Sequence, residues 1–275
     1  MGFRVKFWGV RGSIACSSPD HVVYGGNTSC VAMTAGDHLL IFDAGTGIRA
    51  LGREVLRLGL GQAHMFFTHT HWDHINGFPF FAPAFSPAFK LHIHGPRLVG
   101  SPNGIHYVLS NQMENPNFPV PLSVMQGIAS WEDFDVGQNF HPYEGVTLRT
   151  APLNHPNGAC GYRVEAGGVA VCHITDTEHR PGEMDENVLA LMQGADLAIY
   201  DSTYADAEYP GRVGWGHSTW QEGVRLARFA GAKRLAIFHH DPDHTDDIMA
   251  AIETEAAQSW DGTLVARDGM ELTLA

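Results

Sequence analysis

Residues 66–81 read FFTHTHWDHINGFPFF, so an apolar run leads directly into a group of histidines and an aspartate. The members of this histidine and aspartate group are His69, His71, Asp73 and His74. His69 and His71 alternate, so a strand that continues past Thr68 would direct both side chains to the same side. Imidazoles and carboxylates are costly to crowd together away from water unless a shared partner binds them. The stretch therefore predicts a metal site at the end of a strand.

Three further apolar stretches end in a candidate ligand. TLRTAPLNHP leads to His155, VAVCHITDT to Asp176 and RLAIFHHDP to His239. A lone histidine or aspartate after a strand is usually a turn residue, so the argument depends on their combination with residues 69–74. Imidazole and carboxylate ligands suit zinc, manganese or iron. The set predicts two divalent metal ions, with Zn²⁺ as the first choice and Mn²⁺ or iron as alternatives. His240 competes with His239, which we favour because it directly follows the run LAIF.

The order of apolar patterns predicts an α+β fold. The first 45 residues alternate short apolar runs with Gly, Asn and Ser clusters, which is typical of successive strands. From Ile48, apolar residues recur every three or four positions and predict a helix that Gly59 ends. The second half repeats strands followed by helix and strand, with Ser218 as the expected cap of a helix through TWQEGVRLARFAG. This order predicts two sheets packed together with helices outside them.

One segment interrupts this regular pattern. Residues 96–141 are rich in Pro, Gly and Asn and show little periodicity, so we expect a long loop or lid inserted into a single domain over residues 1–275. A loop of that length in a compact domain is usually functional or mobile. Tyr107 and Phe118 within it are candidates for stacking on a base or sugar, although an ordinary packed insertion explains them equally well.

Composition limits the choice of partners. The formal net charge of −13 offers no excess of positive charge for a phosphate backbone, which makes nucleic acid an unlikely partner. The N-terminus lacks the apolar run of a signal peptide, and no stretch resembles a membrane span, so we expect a cytoplasmic protein that does not bind membranes. The oligomeric state stays open, with a homodimer among the alternatives. We expect reduced cysteines at positions 16, 30, 160 and 172.

The metal motif carries a family resemblance. HTHWDH, followed by His155, Asp176 and His239 and preceded by FDAGTG with Asp43, resembles the metallo-β-lactamase superfamily across essentially the whole chain. The resemblance implies an αββα sandwich, with two mixed β-sheets face to face and helices on the outer faces. It also implies how the ligands divide between the two metals: His69, His71 and His155 on one, Asp73, His74 and His239 on the other, and Asp176 between them.

Other motifs indicate a branch of that superfamily. INGFPFF, IYDSTY and GHSTW are similar to segments of tRNase Z and of related cyclic phosphodiesterases. This similarity implies that Asp201 and His217 act together near the leaving group, with Asp73 also taking part in catalysis. Histidine at position 71, where flavin-linked di-iron oxidoreductases have glutamate, weakens a redox interpretation. FWGVRGS and YGGNTSC resemble hydrolases of small cyclic phosphates, so residues 11, 27 and 28 are candidate substrate contacts, although a structural turn explains them about as well.

The sequence therefore predicts a binuclear metal hydrolase whose substrate is a small phosphodiester, most directly a cyclic phosphate or cyclic nucleotide. Two cations would neutralise the phosphate oxygens and acidify water. Only residues 156–175 separate His155 from Asp176, which is room for a hairpin but not for the protruding arm of tRNase Z enzymes. The alternatives are hydrolysis of a carboxylic ester, lactone or thioester, a tRNase Z-like ribonuclease, and a metal-binding sensor without turnover.

Overall fold

The chain folds into two β-sheets in a computed structural model that describes residues 2–97 and 103–274. The strands of the first sheet are β1 (Phe3–Gly9), β2 (Cys30–Ala35), β3 (His38–Phe42), β4 (Gln62–Phe66), β5 (Lys90–Pro96), β6 (Ile128–Phe134) and β14 (Glu271–Leu274). Those of the second are β7 (Asn139–Tyr143), β8 (Val146–Leu153), β9 (Ala159–Ala166), β10 (Val169–Ile174), β11 (Leu197–Asp201), β12 (Leu235–Phe238) and β13 (Thr263–Val265).

Both sheets are mixed and follow the same plan. The first has the order β14-β1-β2-β3-β4-β5-β6, antiparallel from β14 to β3 and parallel from β3 to β6. The second has the order β13-β12-β11-β10-β9-β8-β7, parallel from β13 to β10 and antiparallel from β10 to β7. Each half thus contributes a parallel group of strands whose carboxyl ends meet at one edge.

The helices cover the outer faces of the sheets. They are α1 (Ile48–Leu58), α2 (Trp72–Ile75), α3 (Ile105–Gln112), α4 (Glu186–Met192), α5 (Trp220–Phe229) and α6 (Asp246–Ser259). Side chains of α1 and α3 pack in one apolar layer with the first sheet, and those of α4, α5 and α6 pack in another with the second. None of the helices in the described ranges combines the length and apolar character needed to cross a membrane.

A third apolar layer lies between the sheets. Alternate residues of β1, namely Phe3, Val5 and Phe7, enter it, while Arg4 and Lys6 face outward. The period-two pattern of the sequence therefore decides which face of the strand is buried. The layer includes residues from Phe3 near the start of β1 to Leu274 at the end of β14. The predicted αββα sandwich of two mixed sheets is confirmed.

The two predictions about helix ends had different outcomes. The helix predicted from Ile48 is α1, and Gly59 ends it with a φ of 67°, a conformation that glycine adopts without strain. The predicted Ser218 cap is wrong, because the Thr219 side chain accepts from Glu222 N. The Ser218 hydroxyl is instead 2.8 Å from His179 Nδ1 and 2.9 Å from the Tyr200 hydroxyl.

The segment 96–141 is not one long loop. It contains α3, β6 and the start of β7, and β6 continues the parallel part of the first sheet beside β5. Its residues 98–102 lie outside the described residues. Phe118 packs edge-on against Phe80 at a centroid distance of 5.8 Å, whereas the Tyr107 side chain is exposed. The segment therefore contributes a strand to the first sheet, and its role as a lid stays a prediction.

Candidate metal centre

The candidate ligands lie where strands end at one edge of the sandwich. His69 and His71 follow β4, and Asp73 and His74 belong to α2 directly after them. His155, Asp176 and His239 follow β8, β10 and β12, which run in the same direction within the second sheet. Carboxyl ends of parallel strands meet at one edge, which is the usual place for a site in such sheets. The structure thus brings together groups that are far apart in the sequence.

The first group consists of His69, His71 and His155. One ligand atom from each lies within 4.8 Å of the others, and His71 Nδ1 is 3.1 Å from His155 Nε2. The remaining nitrogen of His155, Nδ1, donates to the Gly216 carbonyl at 2.8 Å. That hydrogen bond fixes the ring orientation and leaves Nε2 facing the group.

The second group consists of Asp73, His74, Asp176 and His239. Nε2 of His74 is 3.3 Å from Asp73 Oδ2 and 3.2 Å from Asp176 Oδ2. Nε2 of His239 is 3.3 Å from each of the same two oxygens. These are the close approaches expected of groups that share one cation.

Asp176 faces both groups. Its Oδ2 lies among the second group, while its Oδ1 is 3.7 Å from His69 Nε2 and 3.6 Å from His155 Nε2. Burial raises the pKa of this carboxyl, but the nearby His239, His74 and His69 outweigh burial and hold it well below its ordinary value. Asp176 is therefore an ionised carboxylate placed between two sets of imidazoles.

The donor atoms fit divalent metal ions. Nε2 of His69, His74 and His239 is buried and makes no hydrogen bond within the described part of the chain. In each ring Nδ1 is held from behind: by the Thr68 hydroxyl at 3.1 Å, by Asp43 at 2.8 Å and by the Thr203 hydroxyl at 3.1 Å, respectively. Buried polar atoms normally have a hydrogen-bond partner. A metal cation is the partner that fits these three nitrogens.

Asp43 is the main support behind the second group. Its carboxylate accepts from Thr68 N at 2.8 Å, from the Ser29 hydroxyl at 3.2 Å and from His74 Nδ1 at 2.8 Å. Burial raises the pKa of Asp43, but His74 and His173 overcome this and hold it below its ordinary value. Such a carboxylate–histidine pair fixes the tautomer that presents Nε2 to a metal.

Backbone strain is concentrated at this centre. Asp43, Asp176 and His239 have φ values of 60°, 58° and 64°, in the left-handed region that side chains disfavour. Each such residue costs on the order of 1–3 kcal/mol and persists only where its surroundings enforce it. Ser13, with a φ of 61°, belongs to the same set, because its N–H donates to Asp73 Oδ2 at 2.8 Å. The strain marks residues that are held in place for the site.

His217 and Asp201 form a pair beside both groups. His217 Nδ1 donates to Asp201 Oδ2 at 2.8 Å and lies 4.0 Å from Asp176 Oδ1. Burial lowers the pKa of His217, but Asp201 and then Asp176 and Asp73 raise it, to about 9. Ligand atoms of His217 also come within 4.8 Å of those of His155 and Asp176. Geometry alone thus leaves His217 as a proton donor or a further ligand.

Of the adjacent residues His239 and His240, the structure places His239 in the ligand group. Whereas His239 lies in the second group, His240 Nε2 donates to the Ala266 carbonyl at 2.8 Å, away from the site. The candidate contact Arg11 is fully buried and donates to the carbonyls of Gly25, Asp241 and His244, so its role is structural.

Residues 27 and 28 have structural partners too. Asn27 Nδ2 donates to Asp268 at 2.9 Å, and the fully buried Thr28 donates through N to the Thr46 hydroxyl at 2.9 Å. Sequence reasoning missed the supports Ser13, Thr203 and Glu178, because each acts on a partner that only the fold brings close. The carboxylate of Glu178 accepts from Gly214 N and Gly216 N, at 2.7 Å each.

We expect Asp43→Asn to weaken metal binding about 10- to 100-fold, because the amide holds His74 less firmly and in an uncertain tautomer. Asparagine tolerates a positive φ, which limits the loss of stability. Titration against a competing chelator measures the affinity. Asp268→Asn is the matched control, since that carboxyl also accepts backbone N–H groups but lies outside the metal centre. Equal affinities for the two variants would contradict the supporting role of Asp43.

Comparisons with known proteins agree with this fold and site. Residues 38–240 match the family described as the Beta-lactamase superfamily domain. The match covers most of the chain, so the chain belongs to this superfamily. It is a metal-dependent hydrolase of the metallo-β-lactamase fold.

The most similar proteins include ribonucleases. Ribonuclease Z of Haloarcula marismortui is 26% identical over 322 residues that cover 98% of this chain and 96% of that protein. The metallo-β-lactamase fold protein YhfI of Bacillus subtilis matches with a TM-score of 0.72 and 17% identity over 100% of both chains. The short form of human tRNase Z matches with a TM-score of 0.69 and 20% identity over 99% of both chains.

Proposed function

We propose that the chain is a binuclear phosphodiesterase. The observation that carries this proposal is the His217–Asp201 pair, 2.8 Å apart, with His217 Nδ1 4.0 Å from Asp176. Hydrolysis of a phosphodiester expels an oxygen that needs a proton when it is a poor leaving group, and a positioned histidine can supply one. Hydrolysis of a lactone or β-lactam on the same metals does not require this pair.

The ligand groups would hold two divalent ions, with Zn²⁺ as the first candidate and Mn²⁺ or iron as alternatives. His69, His71 and His155 would hold one, and Asp73, His74 and His239 the other, with Asp176 between them. Bound cations at these positions supply Lewis-acid stabilisation of phosphate oxygens and lower the pKa of water. We retain Asp73 as a residue that serves both binding and catalysis.

His217 is the proposed general acid. Because Asp201 holds Nδ1, the proton available to a leaving oxygen is the one on Nε2. Asp201 is itself held by Thr177 N at 3.1 Å, Thr203 N at 3.1 Å and the Thr203 hydroxyl at 2.8 Å, so the pair is rigid. The carboxylate of Asp201 raises the pKa of His217 and so favours the protonated imidazolium that a general acid requires.

RNA is the first candidate substrate class. The expectation from charge made nucleic acid an unlikely partner, but the similar proteins are named Ribonuclease Z and align with nearly the whole chain. These relatives support the ribonuclease alternative better than the small cyclic phosphate. Net charge is a property of the whole molecule and does not exclude RNA from a metal centre that neutralises the reacting phosphate.

A small cyclic phosphodiester is the second candidate, for a structural reason. The segment between His155 and Asp176 is the antiparallel pair β9–β10 with a turn at Gly167 and Gly168, as expected for a hairpin without an arm. The alignment with the Haloarcula protein extends over 322 residues, more than the 275 of this chain, so that relative has insertions that this chain lacks. Fewer insertions leave less surface to grip a large RNA.

A substrate panel tests this proposal with protein loaded with zinc or manganese. The substrates are a precursor tRNA with a 3′ extension, 2′,3′- and 3′,5′-cyclic nucleotides, bis(p-nitrophenyl) phosphate, a lactone and a cephalosporin. We expect hydrolysis of the phosphodiesters, with the highest kcat/KM on the precursor tRNA. A higher kcat/KM on a cyclic nucleotide would support the second candidate. Turnover of the lactone or cephalosporin alone would overturn the phosphodiesterase proposal.

A further inference from the structure

Two exposed tryptophans lie next to the metal centre. Trp72, which stands between His71 and Asp73, is 85% exposed, and Trp215, two residues before His217, is 59% exposed. A tryptophan side chain can bury 150–250 Å² of surface, so leaving two of them in water beside one site forgoes a large stabilisation. Exposed aromatic surface next to a site indicates a binding role.

The two tryptophans flank the same pair of histidines. His71, the neighbour of Trp72, is 3.1 Å from His155 through their ring nitrogens. His155 in turn donates to the carbonyl of Gly216, the neighbour of Trp215, at 2.8 Å. The backbone positions of both tryptophans are therefore linked through two histidines of the first ligand group.

The loop that carries Trp215 is held firmly. Glu178 accepts from Gly214 N and Gly216 N at 2.7 Å each, and Trp215 N donates to the Arg212 carbonyl at 3.0 Å. Gly214 has a φ of 89°, which only glycine adopts readily, so the turn is specified by sequence. A fixed loop that still exposes its aromatic ring presents that ring to a ligand.

The cationic side chain of Arg212 lies beside the Trp215 ring. The Arg212 guanidinium carbon lies 4.8 Å from the centroid of the Trp215 ring and 5.8 Å from that of Tyr204, whose ring is 6.1 Å from that of His217. Within residues 2–97 and 103–274, Arg212 forms no ion pair with a carboxylate. An unpaired arginine stacked on an aromatic ring suits a base or a phosphate, whereas an acyl chain would gain nothing from its charge.

We infer that Trp72, Trp215 and Arg212, here called the aromatic rim, bind the nucleobase of a nucleotide substrate whose phosphate reaches the metal centre. The inference rests on the proposed function and adds the residues that hold the base of a base-bearing phosphodiester. Stacking on aromatic side chains tolerates any base, so the rim provides affinity for nucleotides without selecting a sequence.

Binding of AMP and of ribose 5-phosphate to the metal-loaded protein, measured by isothermal titration calorimetry, tests the rim without any turnover. We expect the wild type to bind AMP about fivefold to a hundredfold more tightly, the range that corresponds to stacking of one base. The double variant Trp72→Ala/Trp215→Ala should lose this preference and keep its metal content and melting temperature. Arg212→Ala should weaken AMP binding as well. Phe229→Ala, which removes an exposed aromatic ring at the end of α5, is the matched control and should change nothing.

The outcomes distinguish base binding by the aromatic rim from phosphodiester hydrolysis at the metal centre. Equal affinity of the wild type for the two ligands, or an unchanged AMP preference in the double variant, would overturn the inference even if phosphodiesters are hydrolysed. A preference that disappears with the tryptophans supports the rim. If no phosphodiester is hydrolysed in that case, the proposed reaction fails while the base-binding site stands.

Discussion

Replacing Asp176 should remove bound metal and hydrolytic activity together. Oδ1 of this carboxylate faces His69 and His155, while Oδ2 faces His74 and His239, so the change affects both ligand groups at once. Metal ions supply several kcal/mol of transition-state stabilisation, and each 1.36 kcal/mol is tenfold in rate. We therefore expect activity on bis(p-nitrophenyl) phosphate to fall about a thousandfold or more.

Three further variants distinguish loss of metal binding from misfolding. Alanine at a φ of 58° is strained, whereas asparagine tolerates this conformation, so Asp176→Asn separates the loss of charge from misfolding. His71→Ala should lose metal in the same way, and His92→Ala provides its control, since His92 bonds the Ser130 hydroxyl away from the site. Elemental analysis after loading with zinc should give about two metal ions per wild-type chain. Wild-type protein without metal after loading would end the metalloenzyme interpretation.

Much of this centre was predictable because its information is local. HTHWDH places four candidate ligands within one strand end and the short helix α2, and the remaining candidates each follow a strand, of which β10 and β12 are fully buried. Helix α1 was equally predictable from the sequence, since its apolar period and its terminal glycine are properties of a short segment. Such features depend little on the rest of the fold.

The parts that sequence reasoning missed depend on distant partners. β6 has mostly half-exposed or exposed residues, so its sequence lacks the apolar signature of a strand, and only pairing with β5 defines it. β14 pairs with β1 from the opposite end of the chain. Glu178 supports Gly216, and Ser13 supports Asp73, across separations that no local pattern records. Likewise, a count of charges did not foresee relatives that act on RNA.

Replacing His217 should reduce activity in a way that depends on the leaving group. If this histidine protonates the departing oxygen, His217→Ala should lower turnover of a diester with an alkoxide leaving group by about a hundredfold or more. A p-nitrophenolate leaving group hardly needs a proton, so turnover of a diester with that leaving group should fall far less. Asp201→Asn should show the same asymmetry, because the Asp201 carboxylate holds His217 Nδ1 at 2.8 Å.

The metal content of the His217→Ala variant decides whether His217 is a proton donor or a metal ligand. His217 lies close enough to His155 and Asp176 to be a ligand, and a ligand's removal would release metal and depress both substrates alike. A general acid, in contrast, can be removed while the metals stay, since the seven other side chains would still hold them. Retained metal with a selective loss on the alkoxide substrate therefore identifies His217 as the acid. Equal losses would remove His217 from the proton transfer, and with it the structural observation that favours a phosphodiesterase over a lactonase on this metal centre.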